Sequence, residues 1–255
     1  MATLRVHDST EYWKKTDLMV KPASYPMAVG YDVPSVDTIH RPLTLDLSEV
    51  CHEDRVYWAV RRAQDILLSS LALVALSPLL LVTYAAIWID SPGASPIFTQ
   101  QRVGRNGKLF KMYKFRTMCP DAEQKLKDLM ERNEKDGPVF KMKNDPRITR
   151  VGKFLRKTSI DELPQLINVF LGQMNLIGPR PGLPREVALY SEHDMKRLAV
   201  KPGCSGPWQV MGRSHLGFNE MVELDLHYIE NRSLRQDLRL IFGTLKTMFS
   251  GEGAV

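Results

Sequence analysis

The longest uncharged apolar segment of the chain runs from Ile66 to Ile89, over 24 residues. A hydrocarbon layer about 30 Å thick takes about 20 apolar residues of helix, which is more than most buried helices of globular domains need. The segment therefore predicts a membrane-embedded helix. Its midpoint is Ser77-Pro78, and a proline inside a helix removes one hydrogen bond and clashes with the preceding turn.

Two topologies fit this segment. The first is a spanning helix with a tolerated kink, because membrane helices often carry proline. The second is a helix–break–helix that enters and leaves by the same face of the membrane, with about 11 residues or roughly 17 Å in each half. Basic residues flank both ends, at Arg55, Arg61 and Arg62 before the run and at Arg102, Arg105 and Lys108 after it. Because basic flanks prefer the cytoplasm, they favour the re-entrant hairpin.

Shorter patterns follow. Residues 97–118 carry six Lys/Arg and no acid, and they read as two strands around the turn residues Gly104 and Gly107. Residues 120–135 predict a charged amphipathic helix, and "LPQLINVFLG" predicts a short helix ended by Gly172. The stretches "FNEMVELDLHYIEN" and "RQDLRLIFGTLKTMF" predict two helices near the end of the chain. The second suits a membrane surface, and it suits a protein core equally well.

These patterns predict an α/β fold, helix-rich with a small sheet. We expect residues 55–94 to form the re-entrant hairpin, and residues 95–255 to form one domain on the cytosolic side of the membrane, with amphipathic interfacial helices. Residues 1–54 are an acidic extension with a net charge of −4, whereas the whole chain of 255 residues carries +6. The basic remainder indicates an anionic partner, such as a phosphorylated ligand, a membrane surface or nucleic acid. The three cysteines have neither disulfide nor zinc spacing.

The stretch "TSIDELPQL" places Asp161 and Glu162 side by side. Ser159-x-x-Glu162 matches a capping box, which is a purely structural explanation. Pro164 argues against it, because a helix capped at Ser159 would put this proline in a position where its ring clashes with a carbonyl. A helix capped at or near Asp161 would instead leave the two acids at a helix N-terminus, where phosphate is stabilised.

Two later stretches each present an arginine. "NLIGPRPG" brackets Arg180 with prolines and glycines, which indicates a rigid loop. It is not a Walker phosphate loop, because no Gly-Lys-Ser/Thr follows. "VKPGCSGPWQVMGR" is rich in turn residues and ends at Gly212-Arg213.

Taken together, "RVGRNGKLFKMYKFRTM", "TSIDELPQLINVFLGQMNLIGPRPGLP" and "KPGCSGPWQVMGRS" resemble the monotopic phosphoglycosyl transferases, a family of bacterial sugar transferases. The resemblance runs from about Arg55 to the C-terminus. It implies transfer of a sugar-1-phosphate from a nucleotide diphosphosugar to polyprenol phosphate, with Mg²⁺, at the cytoplasmic face of the bacterial inner membrane. It also implies a membrane helix broken at Ser77-Pro78, and residues 95–255 as the single cytosolic, membrane-associated catalytic domain.

The resemblance assigns roles to single residues. Asp161 is the nucleophile of a covalent aspartyl-phosphosugar route, and Glu162 is a ligand of Mg²⁺. Arg180 and Arg213 hold the donor. We also predict that Arg116, Arg156 and Gln165 bind substrate.

The tail resembles hexose-1-phosphate transferases, which favours UDP-glucose or UDP-galactose as donor and undecaprenyl phosphate as acceptor, in exopolysaccharide or capsule synthesis. Pro207 departs from the family pattern, which places an apolar residue such as leucine there, and this puts the local backbone in question.

Two other functions remain open. One is a catalytically silent, membrane-anchored module that binds nucleotide sugars. The other is a membrane-attached nucleic-acid binder, against which the absence of a recognisable nucleic-acid motif counts. We therefore expect no nucleic-acid partner and leave a homodimer open.

Overall fold

The computed structural model describes residues 55–129, 142, 144–211 and 216–250. It begins with two helices, α1 (Arg55–Ala75) and α2 (Ser77–Asp90), which meet at an angle of 62°. The break therefore falls at the predicted Ser77-Pro78 pair. Pro78 lies in the first turn of α2, where its missing N–H is tolerated. In the described ranges no helix is by itself long and apolar enough to cross a membrane, although α1 and α2 together meet that length and composition.

Charged side chains anchor the first half of α1 to the rest of the protein. Arg61 is buried and lies 3.8 Å from the carboxylate of Asp237. Arg62 donates to two backbone carbonyls, each at 2.7 Å. The carboxylate of Asp65 accepts from the backbone N–H of Leu176 at 3.0 Å. Arg61 and Arg62, which belong to the basic flank of the apolar run, are therefore also bound to the rest of the protein.

The predicted pair of strands is confirmed. Strands β1 (Ile97–Val103) and β2 (Leu109–Phe115) form an antiparallel hairpin in which Ile97 lies opposite Phe115. A short turn joins them, and its residues Asn106 and Gly107 have φ values of 56° and 76°. The turn therefore uses the left-handed region, which suits asparagine and glycine.

The remaining elements are mostly short helices. They are α3 (Ala122–Leu129), α4 (Arg150–Thr158), α5 (Gln165–Phe170), β3 (Asn175–Ile177), α6 (Pro184–Val187), α7 (Glu192–Met195), β4 (Gly203–Ser205), α8 (Pro207–Met211), α9 (Phe218–Asn231) and α10 (Leu234–Ser250). The helix-rich composition and the two tail helices, α9 and α10, are as predicted. Residues 130–135 of the predicted charged helix lie outside the described residues.

Among the described residues the strands form two separate two-stranded sheets rather than one. In the second sheet, β3 and β4 run parallel, with Asn175 opposite Gly203. A Cβ on Gly203 would lie 2.1 Å from the backbone nitrogen of Gly178, so only glycine fits there. This close approach brings β4 against the start of the Pro-Arg-Pro loop.

Pro207 is the first residue of α8 and is buried. The first helical position accepts proline, because its N–H would have no partner within the helix. The departure from the family pattern is therefore accommodated by starting a helix at this residue.

Candidate active site

Asp161 and Glu162 lie in one 3₁₀ turn, Ile160–Glu162, between α4 and α5. The turn is possible because Ser159 adopts a left-handed conformation, with φ of 56° and ψ of 16°, and ends α4. The two acids are therefore presented by a connection that is held at both ends by helices.

The capping interpretation does not describe this turn. The side chain of Ser159 makes no capping hydrogen bond, and Thr158 Oγ1 donates backwards to the carbonyl of Phe154 at 3.0 Å. The predicted helix cap at or near Asp161 is also misplaced, since Pro164 caps α5 and the helix begins at Gln165. Because α5 has only six residues and begins later, the predicted phosphate site at its N-terminus has no support.

Glu162 is ionised and partly open to solvent. Its Oε1 lies 2.6 Å from Nζ of Lys114, and 33% of its side chain is exposed. Burial alone would raise the pKa of Glu162, but Lys114 and Arg180 outweigh it and hold the pKa below its ordinary value. A carboxylate in this state can bind a cation without first losing a proton.

Asp161 behaves differently, although it is the next residue. Only 8% of it is exposed. Burial, together with the charge of Glu162, raises the pKa of Asp161 from its ordinary value of 3.8 to about 6, against the opposing influence of Lys114 and Arg156. The two carboxyl groups are therefore driven apart in pKa, a pattern typical of catalytic acid pairs.

A cleft opens beside Glu162. Its lining residues are Arg102, Met112, Lys114, Glu162, Gln165, Arg180, Pro181, Gly203, Cys204 and Gln209. Three cationic side chains thus face one carboxylate, which makes the cleft suited to an anion. Asp161 is not among the lining side chains, although its neighbour Glu162 is.

The structure brings some of the predicted substrate-binding residues together. Gln165 and Arg180 line the cleft. Arg156 donates from Nε to Thr117 Oγ1 at 3.1 Å, and its charge acts on Asp161.

Two other predicted residues are not brought to the cleft. Arg116 donates to the carbonyl of Ser95 at 2.7 Å and lies over the ring of Phe98, with 5.6 Å to the centroid. Arg213 lies outside the described residues, and its role stays a prediction.

Lys114 and Arg102 are the charged cleft residues that the sequence did not predict to bind substrate. Both belong to the basic stretch of residues 97–118, which was interpreted as a whole from its charge and its turn residues. The alternation of β2 offers a signal for Lys114, because it places Met112 and Lys114 on the same face. Nothing in the sequence says which face meets Glu162.

A family model described as "Bacterial sugar transferase" matches residues 56–251, which is most of the chain. The chain belongs to the bacterial sugar transferase family. The resemblance found in the motifs is thereby confirmed.

Several curated proteins are similar to this sugar transferase. Galactosyl transferase CpsE of Streptococcus agalactiae is 49% identical over 65% of the chain and 37% of its own length. Undecaprenyl-phosphate galactose phosphotransferase of Salmonella typhimurium is 42% identical over 76% of the chain and 41% of its own length. Exopolysaccharide production protein ExoY of Sinorhizobium fredii is 38% identical over 76% of the chain and 87% of its own length. The chain thus spans less than half of the first two relatives and most of the third.

Because the pKa of Asp161 is raised in the native state, we expect the free energy of unfolding of this sugar transferase to fall as the pH rises. Below about pH 3, the acid is largely protonated in both the native and the unfolded state. As pH rises to 6, the unfolded state loses its proton while native Asp161 keeps it, so the free energy of unfolding falls. The two-unit shift corresponds to at most about 3 kcal/mol above pH 6.

Asp161→Asn removes this cost. We expect the variant to be more stable than wild type at pH 7, and the difference to shrink steadily as the pH falls to 4, where only a small part of it remains. Thermal unfolding of both proteins in detergent with EDTA, at pH 4, 5, 6 and 7, measures it. A stability difference that does not change with pH would contradict the raised pKa.

Proposed function

We propose that this sugar transferase moves hexose-1-phosphate, from glucose or galactose, from a UDP-sugar onto undecaprenyl phosphate and releases UMP. One observation carries the proposal: an acid pair with separated pKa values lies beside a cleft lined by Arg102, Lys114 and Arg180. Such a cleft suits a diphosphate, and its buried acid suits covalent chemistry.

The names of the relatives agree with this substrate class. Two of them name galactose or galactosyl transfer, one names undecaprenyl phosphate, and ExoY names exopolysaccharide production. We therefore place the reaction at the membrane step that starts exopolysaccharide or capsule synthesis.

The proposed reaction has two displacements. Asp161, once deprotonated, attacks the sugar-bearing β-phosphorus, and the bond from that phosphorus to the bridging oxygen breaks, so that UMP leaves. An oxygen of undecaprenyl phosphate then attacks the same phosphorus and returns Asp161 as a free carboxylate. A pKa of about 6 leaves most of Asp161 ionised at neutral pH, while its burial keeps water from the phosphosugar.

We also propose Mg²⁺ as the cofactor, held by Glu162 and by donor oxygens. The described residues contain no group of three or more His, Cys, Asp or Glu side chains placed for a metal ion. Mg²⁺ in phosphate sites is often bound by one or two carboxylates and the substrate, so the single ionised carboxylate of Glu162 at the cleft fits it. When bound, the ion offsets the negative charge of the diphosphate.

We propose further that α1 and α2 form a re-entrant hairpin, with the catalytic domain on the cytoplasmic face. The support is the 62° bend at Ser77 and the apolar side chains that both helices leave exposed. On α1 these are Val56, Val60, Ile66, Leu67, Leu71 and Val74, and on α2 they include Leu81, Val82, Trp88 and Ile89. A surface of this kind is typical of contact with lipid.

Thiol labelling in intact cells tests the hairpin. Cysteines introduced at Glu53 and at Asn106, one at a time, should both resist a membrane-impermeant maleimide added from outside, and both should react after permeabilisation. Pro78→Leu should straighten the helix and expose one of the two sites in a fraction of molecules, because it restores the lost hydrogen bond. Outside labelling of either site in the protein with Pro78 would show a spanning helix.

UMP release tests the function itself. Purified protein with UDP-galactose or UDP-glucose, undecaprenyl phosphate and Mg²⁺ should form UMP and lipid-linked hexose diphosphate. Binding of UDP-galactose without UMP release would instead indicate a silent binding module. The matched control omits undecaprenyl phosphate, in which case UMP should stop at one equivalent per enzyme.

A further inference from the structure

Arg102 is the second-to-last residue of β1, and only 6% of it is exposed. Its side chain lines the same cleft as Glu162 and Arg180. A buried charge is costly unless it is paired and hydrogen-bonded. The hydrogen-bond partners of Arg102 therefore indicate whether the cleft needs an anionic ligand to complete them.

The partners of Arg102 do not neutralise it. Nη1 donates to the carbonyl of Pro181 at 3.0 Å, and Nη2 donates to Gln100 Oε1 at 2.9 Å, both of which are neutral acceptors. The carboxylate of Glu186 lies 3.9 Å from Nη1, beyond hydrogen-bond distance. The buried Nε has no hydrogen-bond partner among the described residues.

Two other buried arginines show what full pairing looks like in this protein. Arg147 meets Asp145 with Nη2 2.6 Å from a carboxylate oxygen, and Arg197 meets Asp225 at the same distance. Neither of them lines the cleft beside Glu162. Arg102 thus differs from them because it lines the cleft and has no carboxylate within hydrogen-bond distance.

The charges around Arg102 are mixed. Burial, and after it the charge of Arg180, lower the pKa of Arg102 to about 10 against the opposing influence of Glu186 and Glu162, so the group still carries its charge at neutral pH. With Lys114 on the same cleft, an arriving anion would relieve this repulsion.

We propose that Arg102 is a donor-binding residue, whose unpaired N–H contacts the diphosphate of the nucleotide sugar while Nη1 holds the carbonyl of Pro181. Because Pro181 follows Arg180 in the chain, one guanidinium would then connect the bound diphosphate to the loop that presents the second arginine. The proposal rests on the proposed function for the identity of the donor, and on the geometry of the cleft alone for its anionic character.

Equilibrium binding tests it in full-length protein that carries Asp161→Asn, so that no turnover occurs. Isothermal titration with UDP-galactose and, separately, with inorganic pyrophosphate is done in the presence of Mg²⁺. Arg102→Gln should weaken binding of both ligands by about 10- to 150-fold, the scale of one charge-assisted hydrogen bond of about 1.5–3 kcal/mol. Arg102→Lys should be intermediate, because it keeps the charge but cannot reach two acceptors at once.

Arg147→Gln is the matched control, since it removes a guanidinium of equal burial away from the cleft. It should lower the unfolding temperature and leave both affinities within about threefold of the parent, below the cost of a lost charged hydrogen bond. Should Arg102→Gln not fold, the affinity of Arg102→Lys for pyrophosphate decides.

Unchanged affinity of the folded Arg102 variants for pyrophosphate would overturn the proposal, even if UDP-galactose binding fell, because the contact would then not be with the diphosphate. Failure of the proposed function is a separate result. If wild type transfers no hexose phosphate to undecaprenyl phosphate while Arg102→Gln still loses pyrophosphate binding, the anion site stands and the transferase assignment falls.

Discussion

Asp161→Asn is expected to abolish hexose-phosphate transfer, lowering kcat by at least about 10⁴-fold, the scale on which enzymes lose rate with their nucleophile. Asparagine keeps the size of the side chain, and in this buried position it removes a charge that is costly to hold. The variant should therefore remain folded and membrane-bound while it loses activity. If Asp161 only capped a helix, the variant should keep its activity as well as its fold, because asparagine caps helices about as well as aspartate.

Trapping of the intermediate measures this directly. Wild type incubated with UDP-galactose labelled at the β-phosphate, with no lipid acceptor, should retain label on a peptide that contains Asp161, and Asp161→Asn should not. Asp194→Asn is a matched control, since Asp194 is also a buried carboxylate but belongs to the first turn of α7. It should carry label as wild type does.

The kinetics give a second readout. A covalent intermediate produces ping-pong kinetics with the two substrates. If wild type never carries label and the kinetics show a ternary complex, the covalent route is wrong. Asp161 would then act as a general base or a second metal ligand.

Glu162→Gln is expected to have the next largest effect, a fall in kcat of roughly 10³-fold, comparable to the loss of one strong electrostatic group at a transition state. The substitution keeps the shape of the side chain but leaves Lys114 without the carboxylate 2.6 Å away. The cleft then becomes more positive, so the KM for UDP-galactose should not rise. A fall in kcat without a rise in KM separates this role from simple donor binding.

The dependence of the rate on free Mg²⁺ is the diagnostic measurement. Wild type should be activated by Mg²⁺ in a saturable way, and Glu162→Gln should show little activation at any concentration. Glu223→Gln is the matched control, because Glu223 has a similarly exposed side chain, pairs with His193 at 2.6 Å and lies outside the cleft lining, so it should keep the activation midpoint of wild type. A Glu162→Gln variant with the wild-type response to Mg²⁺ would remove the metal-binding role.

Local rules account for the parts of the fold that the sequence predicted. The strand–turn–strand at Ile97–Phe115 follows from glycines between alternating segments, and the break at Ser77 follows from proline chemistry. The acid pair and the Pro-Arg-Pro loop were found for a similar reason, because their residues are adjacent in the chain. The sequence placed the start of α5 a few residues too early. A 3₁₀ turn and the first turn of an α-helix have similar sequence preferences, so the pattern did not separate them.

What the sequence determined by itself is therefore a set of local elements, the family, and the carboxylates and arginine within its motifs. Tertiary structure alone decided that Lys114 and Arg102, far from Glu162 and Arg180 in the chain, share a cleft with them. It also decided that Arg61, predicted to flank a membrane, is buried against Asp237. The physical reason is that hydrogen bonding and periodicity act over a few residues, whereas the pairing of charges depends on which distant elements pack together, and a linear pattern carries no record of that choice.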